Sequence, residues 1–157
     1  MKRIFLFIAT LISLSSFSQK FTLTELISLY ENNNSFFDTF VTDKGYSFQS
    51  RDENDLRYSK GVEFNSIGIS FTLIKDGQRV PGRGIIWIFH SDADYINFKH
   101  ELSDKNFVLY HDFSKNREGG SAQYFLYTDN QYNIILAVTK LQGYDGTVYE
   151  VILRKVK

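Results

Sequence analysis

The spacing of apolar residues changes twice along this chain. Leu23, Leu26, Ile27 and Tyr30 recur at helical intervals behind Thr22, with Glu25 three residues further on. A hydroxyl and a carboxylate so placed satisfy two backbone N–H groups at a helix start. Asn32-Asn33-Asn34-Ser35 interrupts the helix and supplies caps for a second one, whose stripe is Phe36, Phe37, Phe40 and Val41. Lys44-Gly45 ends it, because glycine accepts the left-handed conformation of a helix stop. From Tyr46 and Phe48 the period falls to two. The charged stretch 50–60 reads as a loop and 62–64 as a strand. Ile67, Ile69, Phe71 and Leu73 then alternate with Gly68, Ser70 and Thr72, a half-buried strand. Lys75-Asp76-Gly77-Gln78 is a hairpin signal, and 84–90 is the returning strand. Ser91 or Asp92 caps a third helix over 93–103, with Tyr95, Ile96, Phe98 and Leu102 apolar. Strands follow at 107–113, 123–128, 132–140 and 147–156, separated by glycine- and asparagine-bearing turns.

The order suggests a repeat. Phe37, Val41, Thr42-Asp43-Lys44-Gly45-Tyr46 and Phe98, Leu102, Ser103-Asp104-Lys105-Asn106-Phe107 correspond at a constant offset of 61 positions. In both, helix apolars lead to a hydroxyl-Asp-Lys, a stop residue and an aromatic strand start. We expect one α+β domain over residues 19–157, with helices packed on one face of an antiparallel sheet of about eight strands. Its two similar halves are 21–90 and 91–157. Helix followed by four antiparallel strands, twice, resembles the β-lactamase-inhibitor-protein-like fold. The same unit also occurs in small periplasmic lipoproteins of outer-membrane assembly. The resemblance implies a non-enzymatic protein-binding module. It carries over no individual residue, and the chain has neither the disulfides of the inhibitors nor the lipid-bearing cysteine of the lipoproteins.

The N-terminus adds an address. Lys2 and Arg3 precede the apolar run 4–14, and Ser16 and Ser18 stand at −3 and −1 of a cut after Ser18, as in a secretory signal peptide. The run is shorter than the roughly 20 residues of a membrane span. The expected product is exported, to a bacterial periplasm or beyond the cell, with no integral membrane segment once residues 1–18 are removed. The 18 basic and 18 acidic side chains balance in the whole chain; losing Lys2 and Arg3 leaves the remainder slightly acidic. That balance speaks against a nucleic-acid partner. With no cysteine, neither disulfides nor thiolate metal sites can form. Packing must therefore stabilise the domain, and the 15 Phe and 10 Tyr are first of all core. Phe36, Phe37, Phe40, Phe71, Trp87, Phe89 and Phe98 are the expected helix–sheet aromatics.

Chemistry is sparse. His90 with Asp92 and Asp94 invites a metal reading, yet acids there are what a helix start favours. His111 and Asp112 are strand neighbours, which point to opposite faces; His100 lies between Lys99 and Glu101 on a helix. Asp52, Glu53 and Asp55 lack the glycine and distal Glu of a calcium loop. Gly82-Arg83-Gly84 lacks the Lys-Ser/Thr of a phosphate loop, and no Gly-x-Ser-x-Gly elbow occurs. These readings point to no catalytic group, metal or cofactor. The informative segment is 84–89, Gly-Ile-Ile-Trp-Ile-Phe, apolar on both strand faces. If Trp87 and Phe89 face the helices, Ile86 and Ile88 face away, alongside Val148, Glu150, Ile152 and Arg154 of the last strand. The candidate binding residues are Ile86, Ile88, Val148 and Ile152 on that second face, with Asp76, Gln78 and Arg79 at the hairpin. The expected partner is a protein, a second copy of the chain included. Two alternatives stay open: a small-molecule binder or enzyme whose curved sheet wraps a pocket, and an envelope protein that self-associates through the open sheet face.

Overall fold

The computed structural model describes residues 21–61, 64–75, 78–117 and 119–156. The expected leader lies outside them. Three helices, α1 (Leu23–Glu31), α2 (Asn34–Asp43) and α3 (Asp92–Asp104), accompany eight strands. These are β1 (Ser47–Arg51), β2 (Asp55–Ser59), β3 (Ser66–Lys75), β4 (Gln78–Phe89), β5 (Val108–Arg117), β6 (Gly120–Thr128), β7 (Tyr132–Leu141) and β8 (Thr147–Lys155). The strands form one antiparallel sheet in the order β1-β2-β3-β4-β8-β7-β6-β5. Each half is a four-strand meander, and the halves join where β4 pairs with β8. The fold is the expected two-layer α+β architecture.

The helix signals act as local chemistry requires. The Thr22 hydroxyl accepts from Glu25 N at 3.2 Å, and Thr22 N donates to Glu25 Oε2 at 2.9 Å. Asn33 Oδ1 caps α2 by accepting from Phe36 N, and Ser91 Oγ caps α3 by accepting from Asp94 N. Gly45 and Asn106 end α2 and α3 with φ of +80° and +61°. Both stops close with the same pattern of backbone bonds: Gly45 N to Thr42 O and Tyr46 N to Val41 O, then Asn106 N to Ser103 O and Phe107 N to Leu102 O. Helix α1 is held at both ends by other elements. Glu101 Oε2 accepts from Leu23 N at 2.7 Å, and Arg83 donates to the carbonyls of Leu29 and Asn32 and to Asn34 Oδ1. A carboxylate at the N-terminus and a guanidinium at the C-terminus both oppose the helix dipole.

The sheet's alternation sends Ile67, Ile69, Ile85, Trp87, Phe89, Ile134, Leu136, Val151 and Leu153 into one core with Leu26, Leu29, Phe37, Val41, Phe98 and Leu102 of the helices. Trp87 stacks on Phe89 at 4.0 Å between ring centroids and meets the edges of Phe21 and Phe98. Two expectations about the core need correction. Phe36 is exposed, touching Phe40 but not the core interior, and Ile96 is more than half exposed. Each helix reaches the sheet with a narrow stripe, Phe37/Val41 and Phe98/Leu102, and a residue about 100° off that line faces water.

The alternation also misplaces one strand. The 50–60 stretch is not all loop: β2 lies inside it. Phe64 sits in a turn with φ +61°, while Val62 and Glu63 lie outside the described residues. In β2, Leu56 and Tyr58 are buried and Asp55, Arg57 and Ser59 take the other face. The charges disguise an amphipathic strand as a loop. The turn before it forms because Asp52 Oδ1 accepts from the N–H groups of Asn54 and Asp55.

A tyrosine from the sheet ties each helix down. Tyr58 donates to Asp38 of α2, Tyr132 to Glu31 of α1 at 2.5 Å, and Tyr149 to Asp92 of α3 at 2.7 Å. Burial, and then the adjacent carboxylate, push all three phenols up to about 12; burial does the same to Tyr46. A folded-state pKa raised above the unfolded value near 10 gives stability that is intact below pH 10 and lost as pH rises through about 12. At Glu31 the hydrogen bond from Tyr132, and then Lys155, hold the carboxyl below its ordinary 4.5. That contribution is present above 4.5 and fades as pH falls through the lowered value. Denaturant unfolding followed against pH should therefore weaken above pH 10, and phenolate absorbance should show a late-titrating group of tyrosines that Tyr132→Phe reduces by one. Every tyrosine titrating near 10 in the folded protein would contradict this geometry.

Candidate functional site

Strand register builds a second surface on the side of the sheet away from the helices. One row across it runs Ser50, Arg57, Gly68, Ile86, Ile152, Ile135, Leu126, His111; the next runs Ser47, Ser59, Ser66, Ile88, Glu150, Ala137, Tyr124, Phe113. The face is therefore divided. From β1 to β3 it is serine, glycine and an Asp55–Arg57 ion pair; from β4 to β5 it is largely aliphatic and aromatic. Ala122, Tyr124 and Ala137 form a small buried cluster there with Leu126 and Ile135 against it. At the β5 edge Phe113, which is 41% exposed, stacks on Tyr124 at 4.9 Å and lies 5.6 Å from the His111 ring. Among the described residues no helix packs on this face; the helices lie against its opposite side.

A hollow of about 70 Å³ opens where the two parts of the face meet, lined by Arg57, Ser66, Gly68, Ile86, Ile88 and Glu150. Glycine makes it: at Gly68 the row has no side chain, and a Cβ there would come within 2.5 Å of the Leu56 carbonyl oxygen. Ile86 and Ile88 form one wall, and the paired charges of Asp55 and Arg57, 3.3 Å apart, stand on the other side.

Four of the candidate residues thus share one surface. Ile86 and Ile152 are cross-strand partners, Ile88 lies opposite Glu150, and Val148 sits one row further along β8. Ile86, Ile88 and Ile152 are half-buried, and Val148 is buried at 8% exposure by its neighbours. The hairpin candidates lie elsewhere. Gln78 pairs with Lys75 and Arg79 with Ile74 in the β3–β4 ladder, roughly 25 Å along the strand from Ile86; Asp76 lies outside the described residues. Sequence reasoning missed Phe113, Tyr124, Leu126 and Ile135. For Tyr124, Leu126 and Ile135 the signal was available in the unbroken apolar runs 124–127 and 134–138, which, like 84–89, feed both faces of a strand; Phe113, between Asp112 and Ser114, carried none.

A second concavity, wider and open, lies between α2 and the β1–β2 hairpin. It measures about 580 Å³ and is lined by Asn34, Asp38, Phe48, Arg51 and Tyr58 among others, with Phe48 59% exposed. The histidines build nothing comparable. His111 lies opposite Leu126 while Asp112 lies opposite Phe125, on the other face. Asp92 accepts the Tyr149 hydroxyl, His90 is exposed, and among the described residues no three His, Asp or Glu side chains are grouped to hold a metal ion. No described helix is long and apolar enough to cross a membrane.

Compared with protein-family models, with curated proteins and with solved structures, the chain matches none of them. Its own geometry defines its class: a two-layer α+β protein whose eight-stranded antiparallel sheet carries three helices on one side and a half-apolar face on the other.

Proposed function

We propose that this chain is an exported, non-enzymatic protein-binding module, made of two repeated helix-and-four-strand halves, that grips its partner with the sheet face opposite the helices. The observation that carries the reading is the cross-sheet band Ile86, Ile152, Ile135, Leu126, contiguous and only half-buried, with no described helix on it. Contiguous exposed apolar area on a soluble domain marks interaction surfaces. The hollow beside Gly68 supports the same reading, because about 70 Å³ is well short of the 300–1,000 Å³ usual for small ligands and suits one inserted side chain. Export rests on the basic start, the apolar run 4–14 and the small residues before Gln19. The repeat rests on the 61-residue offset and on the two helix stops that close with equivalent hydrogen bonds.

Ile86→Asp and Ile88→Asp, tested against a periplasmic or culture extract with the wild type alongside, should keep the wild-type circular dichroism and lose the specific partner. Each places a charge where the interface centre would be desolvated, a loss on the order of tenfold or more in affinity. Folded variants that retain the same partner at the same affinity would refute the sheet-face reading. A second reading, a small-molecule binder, is favoured by the wide groove beside Phe48. Its measurable sign is a ligand whose binding is lost in Phe48→Ala and untouched in Ile86→Asp.

A further inference from the structure

The sheet has two edges, and they differ in kind. β1 is five residues long, its register against β2 shifts between Phe48 and Ser50, and most of it is serine, glutamine and arginine. Short, polar and irregular edges are how sheets avoid pairing with other chains. β5 is twice as long, with ten residues; its exposed Val108, Leu109 and Tyr110 come at the start, and Phe113 is the one apolar residue of the stretch 111–117. After the irregularity at Tyr110, residues 111–117 pair with β6 without a break. Seven residues in register, about 23 Å of strand, therefore turn their outer main-chain groups away from the sheet.

An open main-chain edge is satisfied by another strand, and the side chains of β5 select which. Consider two copies of β5 paired antiparallel about a two-fold axis perpendicular to the sheet. Side chains on matching faces meet only if the axis passes through a residue, since alternate residues change face. An axis at Asp112 sets carboxylate against carboxylate, and one at Lys115 sets ammonium against ammonium. An axis at Phe113 engages five of the seven residues. An axis at Ser114 engages all seven, opposes Asp112 to Asn116 and His111 to Arg117, and lays Lys115 of one copy against Phe113 of the other. A cation beside an aromatic ring is attractive, and this ring is already stacked on Tyr124.

We propose that the chain pairs with a second copy of itself through β5, antiparallel about Ser114, giving one continuous sheet of sixteen strands, eight from each copy. The two helical layers then lie on the same side, and the two apolar halves of the opposite face adjoin at the new seam. This pairing uses the edge of the sheet and does not depend on what the face binds.

The chain has no cysteine, so Ser114→Cys and Asn116→Cys each introduce a single thiol at an exposed position. At this register the two Cα atoms at position 114 would stand about 4.5–5.5 Å apart, within the reach of a disulfide, whereas the two at position 116 would be roughly 14 Å apart. Under mild oxidation the Ser114→Cys chain should form a disulfide-linked dimer at least about tenfold faster than the Asn116→Cys chain. The wild type should sediment at twice the chain mass, and folded Phe113→Asp as monomer. A wild type that stays monomeric up to its solubility limit overturns the proposal. Equal linking rates for the two cysteine variants overturn the register, and with it the charge argument, whether or not Phe113→Asp folds.

Discussion

Trp87→Ala should lower the free energy of unfolding by about 3–5 kcal/mol, the range for deleting a fully buried large aromatic. Trp87 is 2% exposed and sits where the halves of the sheet meet, its strand neighbours being Ile67 on β3 and Val151 on β8. Its ring also touches Phe21 at the entry to α1 and Phe98 in α3, so one side chain joins both helical segments to both half-sheets. The cavity cannot close by moving one element, because the surrounding groups belong to four of them; that places the loss at the upper part of the range. For a domain of ordinary stability, about 5–15 kcal/mol, much of the total would go. Urea unfolding by circular dichroism measures it. A loss below about 1.5 kcal/mol would mean that the core collapses around the gap, against the packing described.

Gly68→Ala should cost about 1–3 kcal/mol although it adds only a methyl group. The ideal Cβ lies 2.5 Å from the Leu56 carbonyl oxygen and 3.5 Å from Arg57 Cγ. The first contact is backbone, so a rotamer change cannot relieve it, and β2 must shift against β3. The same methyl intrudes on the hollow between Arg57 and Ile86. Stability and partner binding should therefore fall together in Gly68→Ala, while Ile88→Asp loses binding with the fold kept. The expected signature in urea is a lower midpoint with an unchanged slope. An unchanged midpoint would mean that the strands part freely at this point.

Much of this architecture was legible because its signals are local. Thr22 with Glu25, Asn33, Ser91, Gly45 and Asn106 act within three or four residues, so a helix start or stop reads directly from spacing. Ile67 and Ile69 announced a strand because small or polar residues separate them. β2 failed the same test because its outward residues are charged and its inward ones, Leu56 and Tyr58, are only two. Phe36 and Ile96 failed for a different reason. Hydrophobicity shows what can be buried, and the angle at which a helix lands on the sheet shows what is. For the candidate site, the double-sided strand at 84–89 showed that β4 has apolar residues on both faces. It said nothing about the cross-strand company. Ile86 gains Ile152, Ile135 and Leu126 only through the order β4-β8-β7-β6, which brings residues 86 and 126 onto one row. Nor does any short-range pattern reveal that Gly68 leaves a hollow, since its lining comes from four strands.

By itself the sequence determined the three helices with their caps, the α+β class and the strands other than β2, because all of these arise from residues close along the chain. It also fixed the absence of thiol chemistry and the near balance of charge. Tertiary structure decided the rest. Only the β4–β8 junction joins two meanders into one sheet, and only that joining makes separate apolar strands into a continuous face. It also leaves the short β1 at one edge and the long β5 at the other. The physical reason is that a surface is set by which strands are neighbours, and main-chain hydrogen bonds, being alike for every residue, leave that choice to packing of the whole chain.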